Sequence, residues 1–110
     1  MQAEARKLLV VQVAALGWEL LSQKRPDTCR LDFQKAESLF PALTCPVQAS
    51  FRTGLAPDKH GMVANGLFFR ELSRPLFWEQ SSALVSGPRL WEDFRRRGKK
   101  VGLLFWQQSL

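Results

Sequence analysis

The stretch from residue 40 to residue 65, FPALTCPVQASFRTGLAPDKHGMVAN, constrains the fold of this 110-residue chain more than any other. Proline fixes φ and is favoured in the first turn of a helix, so Pro46 predicts a short helix that starts just after Thr44 and runs through Arg52. Gly54 is the residue expected at its C-terminal end. The Thr44 hydroxyl would then lie beside the positive end of a helix, where free backbone N–H groups favour an anion.

The stretch also carries a set of residues in a fixed order, namely Phe40, Pro41, Thr44, Pro46, Thr53-Gly54, Pro57, His60-Gly61 and Asn65. This order resembles the nucleophile segment of the type I phosphodiesterases and nucleotide pyrophosphatases, in the alkaline phosphatase superfamily. The pattern there is F-P-x-x-T-x-P, then T-G-x-x-P, then H-G, then N. The resemblance is closest to the bacterial members. It continues through NGLFFREL, FWEQSSALV, LWEDFRRRG and VGLLFW, and so covers roughly residues 7–110.

The resemblance implies an α/β fold that is part of an alkaline-phosphatase-like three-layer α/β/α sandwich with parallel strands. It implies that Thr44 is the covalent nucleophile and a ligand to one of two divalent metal ions, zinc being the expected metal. It implies that Asn65 donates a hydrogen bond to a phosphoryl oxygen. The expected activity is metal-dependent hydrolysis of a phosphodiester or nucleotide substrate.

Without the resemblance, the same residues allow plainer interpretations. Thr44 would serve as an N-cap, for which threonine is common. Asn65-Gly66 lies between two apolar segments and is a strong hairpin-turn signal. Cys45 follows Thr44 directly, but the sequence offers no base to activate a thiol, so we expect its side chain to pack.

Two apolar segments, residues 8–16 and 101–106, have the composition of buried parallel strands, and we expect both in one sheet. A helix that begins near Ser86-Gly87-Pro88 and stops at Gly98 precedes the second segment, as in an α/β pattern. Arg6 and Lys7 before the first segment also resemble a signal peptide, so secretion stays open, with a cytoplasmic location favoured. The apolar run is too short to span a bilayer.

The first segment departs from the family where it ends. The family ends this strand with Asp-Gly, and that Asp is a metal ligand, whereas residues 14–17 here are Ala-Ala-Leu-Gly. Alanine cannot replace a carboxylate ligand. This departure supports an alternative, a non-catalytic binding or interaction module that keeps the fold but has lost a metal site.

Phe68, Phe69, Phe77 and Trp78 follow Asn65 in a stretch expected to be loop-like. Their flat faces would suit a cleft for a nucleobase, although ordinary burial is the favoured interpretation.

The chain holds one histidine, His60. The resemblance implies that most of the metal-binding Asp and His residues of the domain lie beyond the position of Leu110. We therefore expect residues 1–110 to be the N-terminal portion of a single catalytic domain, inactive alone and with no metal ion assured.

Four Trp and eight Phe exceed what so small a core needs, which agrees with a piece of a larger domain. The net charge of +6 attracts nucleic acid, anionic lipid or phosphate-bearing substrates, so a basic nucleic-acid-binding domain is a third, weaker interpretation. No motif for binding a specific nucleic acid is present.

Overall fold

The computed structural model describes residues 7–24 and 30–110. In chain order they form α1 (Trp18–Lys24), α2 (Thr44–Thr53), α3 (Pro57–His60), β1 (Gly66–Phe69), β2 (Arg74–Phe77) and α4 (Leu90–Arg96). Short 3-10 turns at Arg70–Leu72 and Ser82–Leu84 follow the two strands. The chain divides into two compact units, Met1–Glu37 and Ser38–Leu110.

Helix α1 is the regular element of the first unit among the described residues. Glu19 lies in its first turn and Lys24 in its last, where each charge complements the helix dipole. Before it, residues 14 and 15 form a turn in which the Gly17 N–H donates to the Ala15 carbonyl at 3.1 Å, with Ala15 at φ 60°. This turn lies where the resemblance led us to expect Asp-Gly.

The two segments predicted as parallel strands are not strands, and that prediction is wrong for this structure. Residues 8–13 and 101–104 have no regular structure, and the sheet in the described part of the chain pairs β1 with β2 in antiparallel fashion. A strand forms only where its N–H and C=O groups find ladder partners, and neither segment forms a ladder within the described residues. Their apolar side chains remain exposed, 84% for Leu9 and 80% for Leu104. The observed fold class is mixed helix and strand.

Helix α2 is confirmed close to its predicted bounds. It ends at Gly54, which adopts a left-handed φ of 70° and donates its N–H to the Ser50 carbonyl at 2.8 Å. Cys45 and Ala49 of this helix pack with Met62 and Val85 to form the buried apolar core. Leu67 and Leu84 cover that core from the hairpin side and the following turn.

The segment after Asn65 forms a β-hairpin, so the loop prediction is wrong. Asn65-Gly66 is not the hairpin turn either, because Gly66 pairs with Phe77 at the open end and Phe69 pairs with Arg74 next to the connection. The Asn65 carbonyl accepts the Trp78 N–H at 3.0 Å and so extends the pairing by one residue. The favoured burial of the aromatic side chains is also not observed for Phe77, which is 68% exposed.

Helix α4 forms where the sequence predicted a helix, and Gly98 follows its end at φ 70°. Arg89 caps it and donates through Nη2 to the carbonyls of Ser82 and Val85 at 3.0 and 2.7 Å. The chain then returns to the hairpin exit, where Leu110 exchanges backbone hydrogen bonds with Gln80 and Ser82. Among the described helices, none has the length and apolar character needed to cross a membrane.

Gly87 is predicted to be intolerant of a side chain. It has φ +100°, and a Cβ there would lie 2.5 Å from Leu55 Cδ1. We expect Gly87→Ala to lower the free energy of unfolding by about 1–3 kcal/mol, because the positive φ strains a residue with a Cβ and the Leu55 side chain must also shift. Gly102→Ala is the matched control, since nothing lies within 4 Å of its added Cβ. Urea denaturation followed by circular dichroism measures both, and equal losses in the two variants would contradict the prediction.

Candidate functional site

Thr44 is the first residue of α2 and is half-buried. The N-cap is Leu43, which has extended backbone angles and makes no side-chain capping bond. The interpretation of Thr44 as an N-cap is therefore wrong. Its hydroxyl lies at the helix start without the capping role that usually occupies a threonine there.

The structure brings Asn65 to the same helix turn. The Cys45 N–H donates to Asn65 Oδ1 at 3.0 Å, a bond that joins the residue after Thr44 to the residue before β1. Because an N–H needs an acceptor, this bond assigns the carbonyl oxygen of the amide to the helix side. The Nδ2 group of Asn65 is then the group left to donate to a ligand.

The helix start offers fewer free donors than the sequence predicted. The Cys45 N–H already donates to Asn65, Pro46 has no N–H group, and the Val47 N–H donates to the Leu43 carbonyl at 3.0 Å. At most the Thr44 N–H remains for an anion among the first four residues of the helix. Recognition of a phosphoryl group at this turn would thus depend on side chains, Asn65 above all.

Cys45 is fully buried and has a free thiol, as the packing interpretation predicted. Its Sγ accepts a hydrogen bond from Gln108 Nε2 at 3.3 Å. The other cysteine, Cys29, lies outside the described residues, and so does any pairing that involves it.

Arg52, on the same helix, is only 1% exposed, and pattern reasoning did not single it out. Its Nη1 donates to the Gln107 carbonyl at 3.0 Å and also to the Gln108 carbonyl. Burial first and the nearby Arg89 charge second together lower the pKa of Arg52 to about 10, against a smaller opposing effect of Cys45. The guanidinium stays protonated at neutral pH, so it acts as a fixed cation that holds the chain end.

His60 is buried, and its ring makes hydrogen bonds within the fold. Its Nδ1 accepts the Met62 N–H at 3.0 Å, and its Nε2 lies 2.8 Å from Ser50 Oγ. The first bond requires an unprotonated Nδ1, so the ring is neutral and carries its proton on Nε2. Burial, reinforced by the Arg52 charge, lowers the pKa of His60. Both ring nitrogens are thereby occupied, which leaves neither free to bind a metal.

The two divalent metal ions that the resemblance implies do not fit the described residues alone. No group of three or more His, Cys, Asp or Glu side chains lies together in residues 7–24 and 30–110. Thr44 would be one hydroxyl ligand, and a metal centre needs a set of ligands that act together. Any further ligands would have to come from elsewhere.

The candidate site thus consists of a threonine at a helix start and an asparagine amide against the same turn, in a chain of mixed helices and strands. The family model of type I phosphodiesterase/nucleotide pyrophosphatase matches residues 8–110. The chain therefore belongs to this family, as its sequence predicted, and the family is alkaline-phosphatase-like.

Two relatives agree with this assignment. An ectonucleotide pyrophosphatase/phosphodiesterase of Caenorhabditis elegans is 32% identical over 82 residues, which cover 71% of this chain. Ectonucleotide pyrophosphatase/phosphodiesterase family member 3 of Bos taurus is 27% identical over 93 residues, 74% of this chain. Each match spans 10% of the relative's own length. No solved structure matches the chain significantly.

The neutral state of His60 predicts a loss of stability in acid. Because its pKa is lowered on folding, the unfolded chain binds a proton first. The free energy of unfolding should be highest above the unfolded value of about 6.5 and should fall as the pH drops below it. Urea denaturation from pH 7.5 to pH 5 measures this effect.

His60→Gln is the control for that experiment. It should be less stable overall but nearly independent of pH in that range, since His60 is the one histidine in the sequence. An NMR titration that places the pKa of the ring at or above its ordinary value would contradict the prediction.

Proposed function

We propose that this chain forms the N-terminal portion of a single catalytic domain that hydrolyses phosphodiester or nucleotide substrates, with Thr44 as the nucleophile. The observation that supports this best is the hydrogen bond from the Cys45 N–H to Asn65 Oδ1. It keeps an amide donor beside the helix turn that starts with Thr44. The family membership agrees with the reaction class.

In the proposed reaction, Thr44 Oγ attacks the phosphorus and gives up its proton, which ends on the leaving group. The new Oγ–P bond forms as the bond from phosphorus to the leaving alkoxide breaks, and that alkoxide takes up a proton. Water then attacks the phosphorus, the Oγ–P bond breaks, and a phosphate monoester leaves while Thr44 regains its proton. Asn65 Nδ2 would donate to the phosphoryl oxygen that gains charge in both steps.

The proposal includes a metal centre, although the described residues do not supply its full set of ligands. Two divalent ions, with zinc expected, would take Thr44 as one ligand. Their other ligands would come from sequence that the relatives have and the 110 residues do not match, since each match covers 10% of the relative. The same added sequence would supply the parallel strands of a three-layer α/β/α sandwich and cover the exposed apolar residues of 101–106.

A second candidate function, a non-catalytic binding module, is favoured by one observation. The resemblance places residues 14–17, Ala-Ala-Leu-Gly, where the family ends its first strand with Asp-Gly, and in the structure residues 14 and 15 form a turn without a carboxylate. Such a module would keep Asn65 against the helix and bind a phosphate-bearing ligand without cleaving it.

We expect activity to require sequence beyond Leu110. The 110 residues alone should show no hydrolysis of a nitrophenyl phosphodiester with added zinc, whereas a protein extended past Leu110 with its natural sequence should turn it over. The reason is that metal ligands act as a set in fixed geometry. Release of nitrophenol measures both lengths. Turnover by the 110 residues, or a folded, zinc-loaded and inactive longer protein, would contradict this expectation, and the latter would favour the binding module.

Substitutions in the longer protein test the two site residues. Thr44→Ala should abolish most activity, while Thr44→Ser, which keeps a hydroxyl, should retain part of it. Asn65→Ala should lower kcat about 10²-fold, as for loss of one oxyanion donor. Asn65→Asp keeps an oxygen for the Cys45 N–H but no Nδ2 donor, so it should lose activity without losing the helix contact. Full activity in Thr44→Ala would reject the nucleophile assignment.

A further inference from the structure

Two amide side chains hold the same residue, Cys45, through different atoms. Asn65 Oδ1 accepts the Cys45 N–H at 3.0 Å, and Gln108 Nε2 donates to Cys45 Sγ at 3.3 Å. The two amides also line one small cavity of about 10 Å³, enough for a single water at most. Cys45 is therefore fixed at both its backbone and its side chain, directly after Thr44.

Gln108 is itself held in place by its surroundings. It is 2% exposed, and its Nε2 donates as well to the Glu79 carbonyl at 3.0 Å. Its N–H donates to Gln80 Oε1 at 3.3 Å, and its carbonyl accepts from Arg52. The last two bonds hold the Gln108 backbone, and the side chain itself is held through Nε2, which donates to both the Glu79 carbonyl and Cys45 Sγ, while its buried Oε1 has no partner among the described residues. Burial and the two Nε2 bonds keep the amide against the thiol.

We propose that Gln108 is a positioning residue for the candidate site. By holding Cys45 Sγ, it fixes the first turn of α2, and so it aligns the Cys45 N–H with Asn65 and sets the place of Thr44. This role rests on the proposed function, in which Thr44 and Asn65 act on a phosphoryl group. A hydrogen bond to sulfur is weak in water but gains strength in a buried setting.

The neighbouring glutamine provides a matched control. Gln107 helps to fasten the same segment, since its N–H donates to Gln48 Oε1 at 2.9 Å and its side-chain oxygen accepts from Gln80 Nε2. No described contact joins the Gln107 side chain to Cys45. If glutamines 107 and 108 merely tether the chain end, removing either amide should have the same consequences at the site.

The first experiment compares Gln108→Met with Gln107→Met in the 110-residue chain by NMR. Methionine keeps the length of the side chain and loses the amide. We expect Gln108→Met to shift the Asn65 Nδ2 resonances and to speed exchange of the Cys45 amide hydrogen about tenfold relative to that of Ala49 on the same helix. Gln107→Met should change neither. Equal changes in both variants, or none in Gln108→Met, would overturn the proposal.

A double-mutant cycle tests whether the effect passes through the thiol. In a Cys45→Ala background, Gln108→Met should produce no further change at Asn65, because the contact is already absent. A change as large as in the native background would overturn the proposed route. If Gln108→Met does not fold, Gln108→Asn, which is shorter by one methylene group, makes the same test.

Activity gives a separate readout in the longer protein. Gln108→Met should lower kcat about tenfold with KM unchanged, and Gln107→Met should lower neither. Unchanged kcat in Gln108→Met would overturn the positioning role. Full activity in Thr44→Ala rejects the proposed function instead, whatever the NMR of Gln108→Met shows, so the two failures are distinguishable.

Discussion

The buried guanidinium of Arg52 is the constraint on which the second unit depends. Taking a cation out of water costs several kcal/mol unless acceptors surround it, and Arg52 finds them in the carbonyls of Gln107 and Gln108, more than 50 residues later in sequence. Its Nε and Nη2 have no partner in the described part of the chain. The two carbonyl bonds therefore cannot be lost without stranding a charge, and helix α2 and the chain end must fold together.

The contact of Arg52 with the carbonyls of Gln107 and Gln108 determines how the rest of the second unit is arranged. Once residues 107–110 lie on α2, Leu110 can pair with the backbone at Gln80 and Ser82, which fixes the exit of the hairpin. The apolar core is small, with Cys45, Ala49, Met62 and Val85 as its fully buried members among the described residues. A core of this size specifies little geometry by packing alone, so polar bonds with fixed directions set how the helix and the hairpin meet.

Local signals could be predicted from the sequence, and pairings between distant residues could not. Pro46 and Gly54 mark α2, and Gly98 marks the end of α4, because each acts on its own backbone. The hairpin was missed because Asn65-Gly66 carries a turn signal that strand pairing overrides, with Gly66 at the open end opposite Phe77. Thr44 and Asn65 were found through the resemblance. Arg52 and Gln108 were missed, and His60 was identified only as part of the family pattern without its burial, since no sequence pattern shows that a polar side chain will be buried with its partners.

Asn65 shows why the candidate site survives without the predicted parallel sheet. Its carbonyl accepts the Trp78 N–H and its side chain accepts the Cys45 N–H, so it is fixed by the hairpin and by the helix at once. Gly66 has no Cβ, which lets the Phe77 ring lie across it and brings β2 close to Asn65. All these contacts lie within Ser38–Leu110. The arrangement of Thr44 and Asn65 is thus set by contacts within this unit, from the hairpin on one side and from helix α2 on the other.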